Sequence, residues 1–273
     1  MYKIIASDLD GTLIGSNGEV SLVNLEYISK LKERGIMVVP SSGRTLFEVP
    51  KVVRQHKDID YIIFANGSGI YSKKDDKTIF YDPIPNDVKN SIVCMLNEYD
   101  TYIELYSMGH VYDDKLKYGA KGFEYYGIDE YFIPELYKSR EPIENFNDYA
   151  YNDKHFVEMF NVYFHNENER QECKQRLKQL NYPVEITSSM KTSLEITHTG
   201  NSKGNALKML CDAVGFDLKN VVAVGDSGND ITMFDVVDNG YAVANACDKL
   251  KQIATKIICS NDDNILKYLY DNL

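Results

Sequence analysis

The sequence predicts an α/β fold in which a parallel-sheet core is interrupted by an inserted α+β domain. Both ends of the chain alternate short apolar runs with helical patterns, whereas the middle has tyrosine-rich runs of strand character. With 273 residues the chain is long enough for two domains of ordinary size. We therefore expect residues 1–82 and 195–273 to form the core and residues 83–194 to form the inserted domain.

The first eighty residues predict three buried strands. Short apolar runs recur at Ile4 to Ala6, Ile36 to Pro40 and Tyr61 to Ala65. The segments between these runs have helical patterns. Such alternation is typical of a parallel sheet with helical crossovers.

Two helices are expected between these strands. The first has Ser21 as its N-cap and Gly35 at its end. Its inner face consists of apolar residues at helical spacing, namely Leu22, Leu25, Ile28 and Leu31. The second helix lies within Thr45 to Lys57, where Pro50 interrupts the pattern.

The same alternation returns after residue 200. A helix is expected from Lys203 to Gly215, with apolar residues on its inner face, namely Leu207, Leu210, Cys211 and Val214. Three strands are expected in the apolar runs Val221 to Val224, Tyr241 to Ala244 and Lys256 to Cys259. Two short helices separate them, near Ile231 to Val237 and Asp248 to Ala254.

The middle of the chain predicts a domain of mixed structure. A helix that follows two prolines has four inward residues, namely Val88, Ile92, Met95 and Leu96. Strands are expected in TYIELYS, HVYDD and HFVEMFNVYFHN, followed by a charged helix from Asn166 to Leu180 and a strand pair in PVEITSS and TSLEITH. We interpret the tyrosines as half-buried packing and not as a stacking platform.

Charge and cysteine usage narrow the range of functions. The formal net charge of −11 argues against nucleic acid or an anionic membrane as the main partner, so an anionic small substrate needs a local positive site. The five cysteines are scattered, which favours reduced core thiols over disulfides or a zinc site. Neither a signal-peptide pattern nor a run of 18 apolar residues occurs, and we expect a cytoplasmic protein, for which a monomer is plausible.

Two acidic clusters follow two of the predicted strands. Asp8 and Asp10 come after the first strand, and Asp226 comes after Val221 to Val224. Because the carboxyl ends of parallel strands share one edge, these side chains are expected to meet. An EF-hand is excluded, since it needs a glycine at its sixth position and Gly11 is the fourth residue from Asp8. Clustered carboxylates predict a hard-cation site that suits Mg²⁺.

Two further segments supply what a phosphate group needs. VVPSSGR places the hydroxyls of Ser41 and Ser42, the open backbone of Gly43 and the cation of Arg44 at the end of the second strand. Lys203 stands at a helix start, where amide donors and the helix dipole favour an anion. Both segments therefore suit a dianion beside the acidic clusters.

Together these segments resemble the four motifs of the haloacid dehalogenase superfamily of phosphatases. The matching motifs are DLDGT (Asp8 to Thr12), SGR (Ser42 to Arg44), SKGNAL (Ser202 to Leu207) and GDSGND (Gly225 to Asp230). Their order, and the insertion between the second and third, are similar to the Cof-type subfamily with a type IIB cap. The resemblance covers essentially the whole chain and implies a Rossmann-like core with an α+β cap that closes over the crevice and selects the leaving group.

The resemblance also implies the chemistry. Asp8 would be the nucleophile that forms an aspartyl-phosphate. Asp10 would act as general acid and then as general base, with Thr12 orienting it. Mg²⁺ would be held by the Asp8 side chain, the Asp10 backbone carbonyl and Asp226.

The phosphate oxygens would be held by hydroxyl, amide and ammonium groups, namely Ser42, the Gly43 and Leu9 amides, Lys203 and Asn229. Asp230 would brace Lys203 or the metal shell, and Arg44 would support the site as a cation. The sequence departs from the family in two ways. Ser42 stands where threonine is common, and SNDDNIL lacks the glycine-valine pair that usually follows the acidic run. Neither departure touches the implied chemistry.

The expected activity is a Mg²⁺-dependent phosphatase acting on a sugar phosphate or a phosphorylated cofactor. Two alternatives stay open, a phosphomutase, which shares both aspartates, and a non-catalytic phosphate sensor similar to a receiver domain. Asp10 argues against the sensor, because a neighbouring general base shortens the life of a phosphoaspartate. His198, close to Lys203 in sequence, is a candidate supporting group.

Overall fold

The computed structural model describes residues 2–130, 133–188, 190 and 192–273. It divides into two compact units. The first unit joins Met1–Tyr81 to Asn201–Leu273, and the second is Asp82–Gly200. The second unit is therefore an insertion into the first.

Strands and helices alternate along both units. The strands are β1 (Ile4–Ser7), β2 (Met37–Pro40), β3 (Tyr61–Phe64), β4 (Gly69–Ser72), β5 (Lys77–Tyr81), β6 (Thr101–Ser107), β7 (His110–Asp114), β8 (Arg140–Ile143), β9 (Val157–Phe164), β10 (Val184–Thr187), β11 (Ser193–His198), β12 (Val221–Gly225), β13 (Asn239–Ala242) and β14 (Lys256–Ile257). The helices are α1 (Leu22–Glu33), α2 (Lys51–Arg54), α3 (Asn86–Leu96), α4 (Ala120–Tyr125), α5 (Ile133–Ser139), α6 (Phe146–Tyr151), α7 (Glu167–Gln179), α8 (Lys203–Val214), α9 (Ile231–Phe234), α10 (Asp248–Ile253) and α11 (Ile265–Asn272). Within the described residues, none of these helices combines the length and the apolar composition that crossing a bilayer requires.

A five-stranded parallel sheet forms the centre of the first unit, as predicted. Its order is β14-β13-β12-β1-β2, and every neighbouring pair is parallel. β1 and β12 lie side by side with Ser7 opposite Val224, and both strands are buried along their whole length. Burial on both faces explains why these strands are continuous apolar runs. The residues that follow β1 and β12 leave the sheet at the same edge.

The third predicted strand departs from the expected crossover pattern. β3 pairs antiparallel with β4, and a single bridge between Ser41 and Ile63 links it to the end of β2. The charged segment 73–76 turns the chain back, so that β4 and β5 complete a small antiparallel sheet. The parallel alternation therefore stops after β2 and resumes with β12.

Two predicted helices are also corrected. In α1, Leu22 is 84% exposed, and Asn24 takes the buried position because its side-chain oxygen accepts a hydrogen bond from Leu266 N at 3.0 Å. The helix expected within residues 45–57 is reduced to α2, since Pro50 can precede a helix but cannot lie in its interior. By contrast, α8 begins and ends as predicted, and Gly215 closes it in the left-handed conformation.

The second unit is a six-stranded sheet with helices against one face. Its order is β10-β11-β9-β6-β7-β8, and only the β7–β8 pair is parallel among the described strands. One face of this sheet packs with α3, α6 and α7 in an apolar core. That core includes the four predicted inward residues of α3, namely Val88, Ile92, Met95 and Leu96.

Strand β11 decides where the inserted unit ends. The expected boundary between residues 194 and 195 falls inside this strand, which pairs with β9 and β10. Because paired strands form one layer, the boundary moves to Gly200. The short elements α4, α5, α6 and β8 were not predicted, since none of them has a sustained apolar period.

Candidate active site

The carboxylates expected at one edge of the parallel sheet lie together. Asp8 directly follows β1, and Asp226 directly follows β12. Together with Asp230 they offer oxygen atoms that all lie within 4.8 Å of one another. Asp8 is 4% exposed and Asp230 is fully buried. We call these three residues the carboxylate cluster.

Two glycines allow the acidic loops to approach this closely. Gly11 has a φ of +70°, and a Cβ atom there would lie 2.5 Å from Asp226 Oδ2. A Cβ atom on Gly225 would lie 2.5 Å from the Asp230 carboxylate. The DGT and GDSGND motifs therefore need glycine for steric reasons as well as for the turn.

Lys203 is the cation of the carboxylate cluster. Its Nζ donates to Asp8 Oδ1 at 2.7 Å, to Asp230 Oδ1 at 2.8 Å and to Asn229 Oδ1 at 3.2 Å. The lysine is 1% exposed, so these charge-assisted bonds lie away from bulk water. The other oxygen of Asp230 accepts from the backbone amides of Asp226 and Ser227, at 2.9 and 3.0 Å.

The pKa directions show that the cluster has an excess of negative charge. Burial raises the pKa of the Asp8 carboxyl well above its usual value, and Asp230 adds to this against the opposing effect of Lys203. Burial and then Asp230 raise the pKa of Asp226 to about 6. For Lys203, burial alone lowers the pKa, but Asp230 and Asp8 outweigh it and the pKa is raised. Three carboxylates against one ammonium group suit an additional hard cation.

The SGR segment is tied to this cluster through Asn66, a residue that motif reasoning missed. Asn66 N donates to the Ser42 backbone oxygen at 3.0 Å, and Asn66 Oδ1 accepts from Asn229 Nδ2 at 3.1 Å. A Cβ atom on Gly43 would lie 3.1 Å from the same Oδ1 atom. Asn66 is nearly buried with a φ of +51°, a conformation that asparagine adopts more readily than most residues. The Asn-Gly pair in FANGSGI was the available signal.

Asp10 is held by Arg44 and not by Thr12. Arg44 donates from Nε and Nη2 to the two oxygens of Asp10, both at 2.8 Å. Thr12, which was expected to orient Asp10, donates instead to Asp226 Oδ1 at 3.4 Å. The reason is the left-handed turn at Gly11, which separates the two side chains and directs Thr12 toward the loop after β12. Arg44 therefore orients the carboxylate assigned as acid and base, and does not stand as a free phosphate ligand.

The remaining predicted residues divide by location. Ser42 is buried, and its Oγ accepts from Arg44 N at 3.1 Å, so the turn presents the hydroxyl and the Gly43 backbone together. Leu9 buries its side chain in the core of the first unit, which leaves only its backbone for the site. His198 belongs to the second unit, where its Nδ1 lies 2.7 Å from Asp82 Oδ2.

The fold and the site together define a hydrolase, and comparisons agree. The model of the haloacid dehalogenase-like hydrolase family matches residues 5–269. The chain therefore belongs to the haloacid dehalogenase-like hydrolase family. This confirms the family that the four motifs indicated.

Relatives and solved structures match over nearly the whole chain. The 5-amino-6-(5-phospho-D-ribitylamino)uracil phosphatase YwtE of Bacillus subtilis is 28% identical, over 99% of this chain and 98% of its own length. The structure of a haloacid dehalogenase-like hydrolase from B. subtilis has a TM-score of 0.86 at 25% identity, covering 99% of this chain and 100% of that one. The subclass IIB sugar phosphatase BT4131 shares the fold with a TM-score of 0.81 at 18% identity, covering 99% and 98%. These matches confirm a parallel-sheet core with an inserted cap.

Proposed function

We propose that the chain is a Mg²⁺-dependent phosphatase that hydrolyses a small phosphorylated metabolite through an aspartyl-phosphate on Asp8. The observation that carries this proposal is the buried contact of Asp8 with Lys203 inside a cluster of three carboxylates. Relatives named as phosphatases support the reaction class. The name of the first of them specifies a phosphate on a ribityl chain, which supports a sugar or polyol phosphate ester as substrate.

The reaction divides into two displacements. An Asp8 oxygen attacks phosphorus, the bond from phosphorus to the ester oxygen breaks, and Asp10 gives its proton to the departing alkoxide. Water then attacks the phosphorus of the aspartyl-phosphate, Asp10 takes a proton from that water, and Asp8 is released with inorganic phosphate. The bidentate contact with Arg44 fixes the orientation of Asp10 between these two proton transfers.

Several groups of the chain balance the charge of the phosphoryl group. The Lys203 ammonium already touches Asp8, so it lies beside the atom that attacks. Asn229 shares that ammonium and is linked through Asn66 to the Ser42 and Gly43 turn. We assign the phosphate oxygens to these groups and to the Leu9 amide.

The carboxylate cluster fits a Mg²⁺ ion by the chemistry of its donors. Asp8 and Asp226 offer carboxylate oxygens, and the Asp10 backbone carbonyl supplies a neutral one. Both oxygens of Asp230 already accept hydrogen bonds, so this residue braces Lys203 and the loop after β12. When bound, the ion supplies positive charge that neutralises the transferring phosphoryl group.

The first prediction tests Asp8 and Asp10. In the presence of Mg²⁺ the unaltered protein is expected to release inorganic phosphate from p-nitrophenyl phosphate. Asp8→Asn removes the nucleophile and should abolish release, and Asp10→Asn should slow it about 100-fold or more, because the general acid and base is lost. Asp212→Asn, an exposed aspartate on α8, is the matched control and should leave the rate unchanged.

Unchanged activity in Asp8→Asn would reject the mechanism. Mass spectrometry of the products separates the other two readings. A phosphate group retained on an isomerised substrate identifies a phosphomutase, and a phosphorylated protein that does not turn over identifies a sensor.

A further inference from the structure

One face of the sheet in the inserted unit carries a continuous row of polar residues. The row follows the cross-strand pairing of all six strands, with each residue directly opposite the next, in the order Thr187, Glu195, Asn161, Glu104, Asp113 and Pro142. Directly paired residues lie on the same face of a sheet. We call this set the ladder row.

The opposite face of the same sheet is apolar. Ile103, Phe160 and Ile196 alternate with members of the ladder row and pack into the core with α3, α6 and α7. The ladder row therefore does not belong to the apolar core of this unit. It lies between two apolar groups on its own face, one around Tyr102 and Tyr163 and the other around Met159.

The ladder row has a composition that stability does not explain. Glu104, Asp113 and Glu195 are carboxylates, at most 6% exposed, and the row itself contains no basic residue. Arg140 of β8 donates to Glu104 Oε1 at 2.7 Å. Like charges directly opposite each other, as Glu104 and Asp113 are, destabilise a sheet, and burying carboxylates costs free energy even when they are paired.

Asn161, at the centre of the row, has an acceptor without a donor. Its Nδ2 donates to Glu104 Oε2 at 2.8 Å and to Tyr163 OH at 2.9 Å. These two contacts fix the amide orientation, because the reverse orientation would place Oδ1 against the Glu104 carboxylate. The buried Oδ1 atom has no hydrogen-bond partner among the described residues, and Asn161 is 6% exposed. A buried acceptor of this kind needs a donor from outside the chain.

The chemistry of the row selects the ligand. An O–H or N–H group can donate to Asn161 Oδ1 and to the Glu195 carboxylate directly opposite it. An anionic group would meet three carboxylates on adjacent strands and would be repelled. The tyrosines that border the row remain protonated, since burial and the neighbouring carboxylates raise the pKa of Tyr102 and of Tyr163.

We propose that the ladder row binds a carbon chain that carries hydroxyl or amino groups and no second anionic group. Two sources share this chemistry. One is the alcohol part of the phosphate ester, in which case the inference rests on the proposed function and restricts its substrates to monophosphates of neutral or amino polyols. The other is a free polyol that acts as an effector.

The first experiment measures binding on the full chain by thermal shift with ribitol, D-glucamine and D-gluconate at equal ionic strength. Ribitol and D-glucamine are expected to raise the Tm, and gluconate to raise it less. Polyols also stabilise proteins by exclusion from the surface, so the decisive quantity is the part of the shift that Asn161→Ala and Glu195→Gln lose. Glu172→Gln, on α7 against the opposite face, is the matched control and should keep the whole shift.

The second experiment compares kcat/KM for D-ribitol 5-phosphate, D-glucosamine 6-phosphate and 6-phosphogluconate. The unaltered protein is expected to prefer the first two. Glu195→Gln removes one negative charge with little change of shape, and should narrow that preference about tenfold. Competition of free ribitol with the ester identifies the alcohol part as the ligand, whereas binding without competition identifies an effector, and both outcomes support the row as a binding site.

The inference is overturned if the thermal shifts of the unaltered protein survive in Asn161→Ala and Glu195→Gln, or if gluconate is bound as well as ribitol. Since Asn161→Ala can perturb the sheet, Glu195→Gln carries the test where the alanine variant does not fold. Release of phosphate from p-nitrophenyl phosphate is measured in parallel. Its absence in the unaltered protein would reject the proposed function while leaving the binding measurements interpretable.

Discussion

At the scale of single residues, the site depends on contacts that no motif contains. Asn66 joins the turn after β2 to Asn229, and Asn229 in turn contacts Lys203. The interaction joins residues 163 positions apart in the chain, so local sequence cannot reveal it. Thr12 is similar, because its neighbour in the motif is Asp10 but its hydrogen bond goes to Asp226.

The Asn66 side chain can be removed without disturbing its backbone. Asn66→Gly keeps access to a positive φ but loses the amide that receives the Asn229 donor. We expect kcat/KM to fall about tenfold, because the phosphate-binding turn loses its link to Asn229 and Lys203. Asn181 has the same φ of 51° and is exposed in the inserted unit, so Asn181→Gly is the matched control. Equal kinetics for the two variants would contradict the role of Asn66.

At the scale of elements, the position of α8 sets the position of Lys203. This helix begins at Lys203 itself, with Ser202 accepting from the Asn205 amide as N-cap. Its first turn lies directly against α9, since a Cβ atom on Gly204 would lie 1.9 Å from the Thr232 backbone oxygen. The glycine of SKGNAL therefore serves helix packing, and the lysine before it serves the chemistry.

Gly204→Ala should accordingly lower both stability and activity. The added methyl group meets backbone and not a flexible side chain, so α8 has to shift, at a cost of about 1–3 kcal/mol. Calorimetry should show a lower Tm, and phosphate release should fall because the lysine moves with the helix. Gly228→Ala is the control for stability, since a Cβ atom there has no neighbour within 4 Å among the described residues. A Tm for Gly204→Ala as high as that of the control would refute the packing argument.

At the scale of the whole molecule, the sequence was sufficient where burial produces a strong pattern. β1 and β12 are buried on both faces, and their apolar runs predicted both the sheet and the edge where the acidic residues meet. The antiparallel turn of β3 onto β4 depends on pairing with a distant partner, which a pattern of apolar residues does not encode. The ladder row was invisible for the same reason, because register across six strands assembles it from residues that are unremarkable singly.

The excess negative charge of the carboxylate cluster makes stability depend on pH and Mg²⁺ together. The pKa of Asp226 is about 6 in the fold and 3.8 in its ordinary environment, so the folded protein binds the extra proton between these values. The stability that this proton contributes is fully present below 3.8 and is lost as the pH rises through about 6. Above that pH the cluster is ionised, and a cation can replace the lost stabilisation.

Mg²⁺ should therefore raise the Tm more at about pH 7.5 than at about pH 5, because at the lower pH the ion has to displace protons from Asp226 and Asp8. Differential scanning calorimetry with and without the ion, at constant ionic strength, measures this difference. Asp226→Asn removes a charged ligand and should abolish most of the shift, whereas Asp212→Asn, exposed on α8, should retain it. An equal shift at both pH values, or one that persists in Asp226→Asn, would show that the ion acts elsewhere than at the carboxylate cluster.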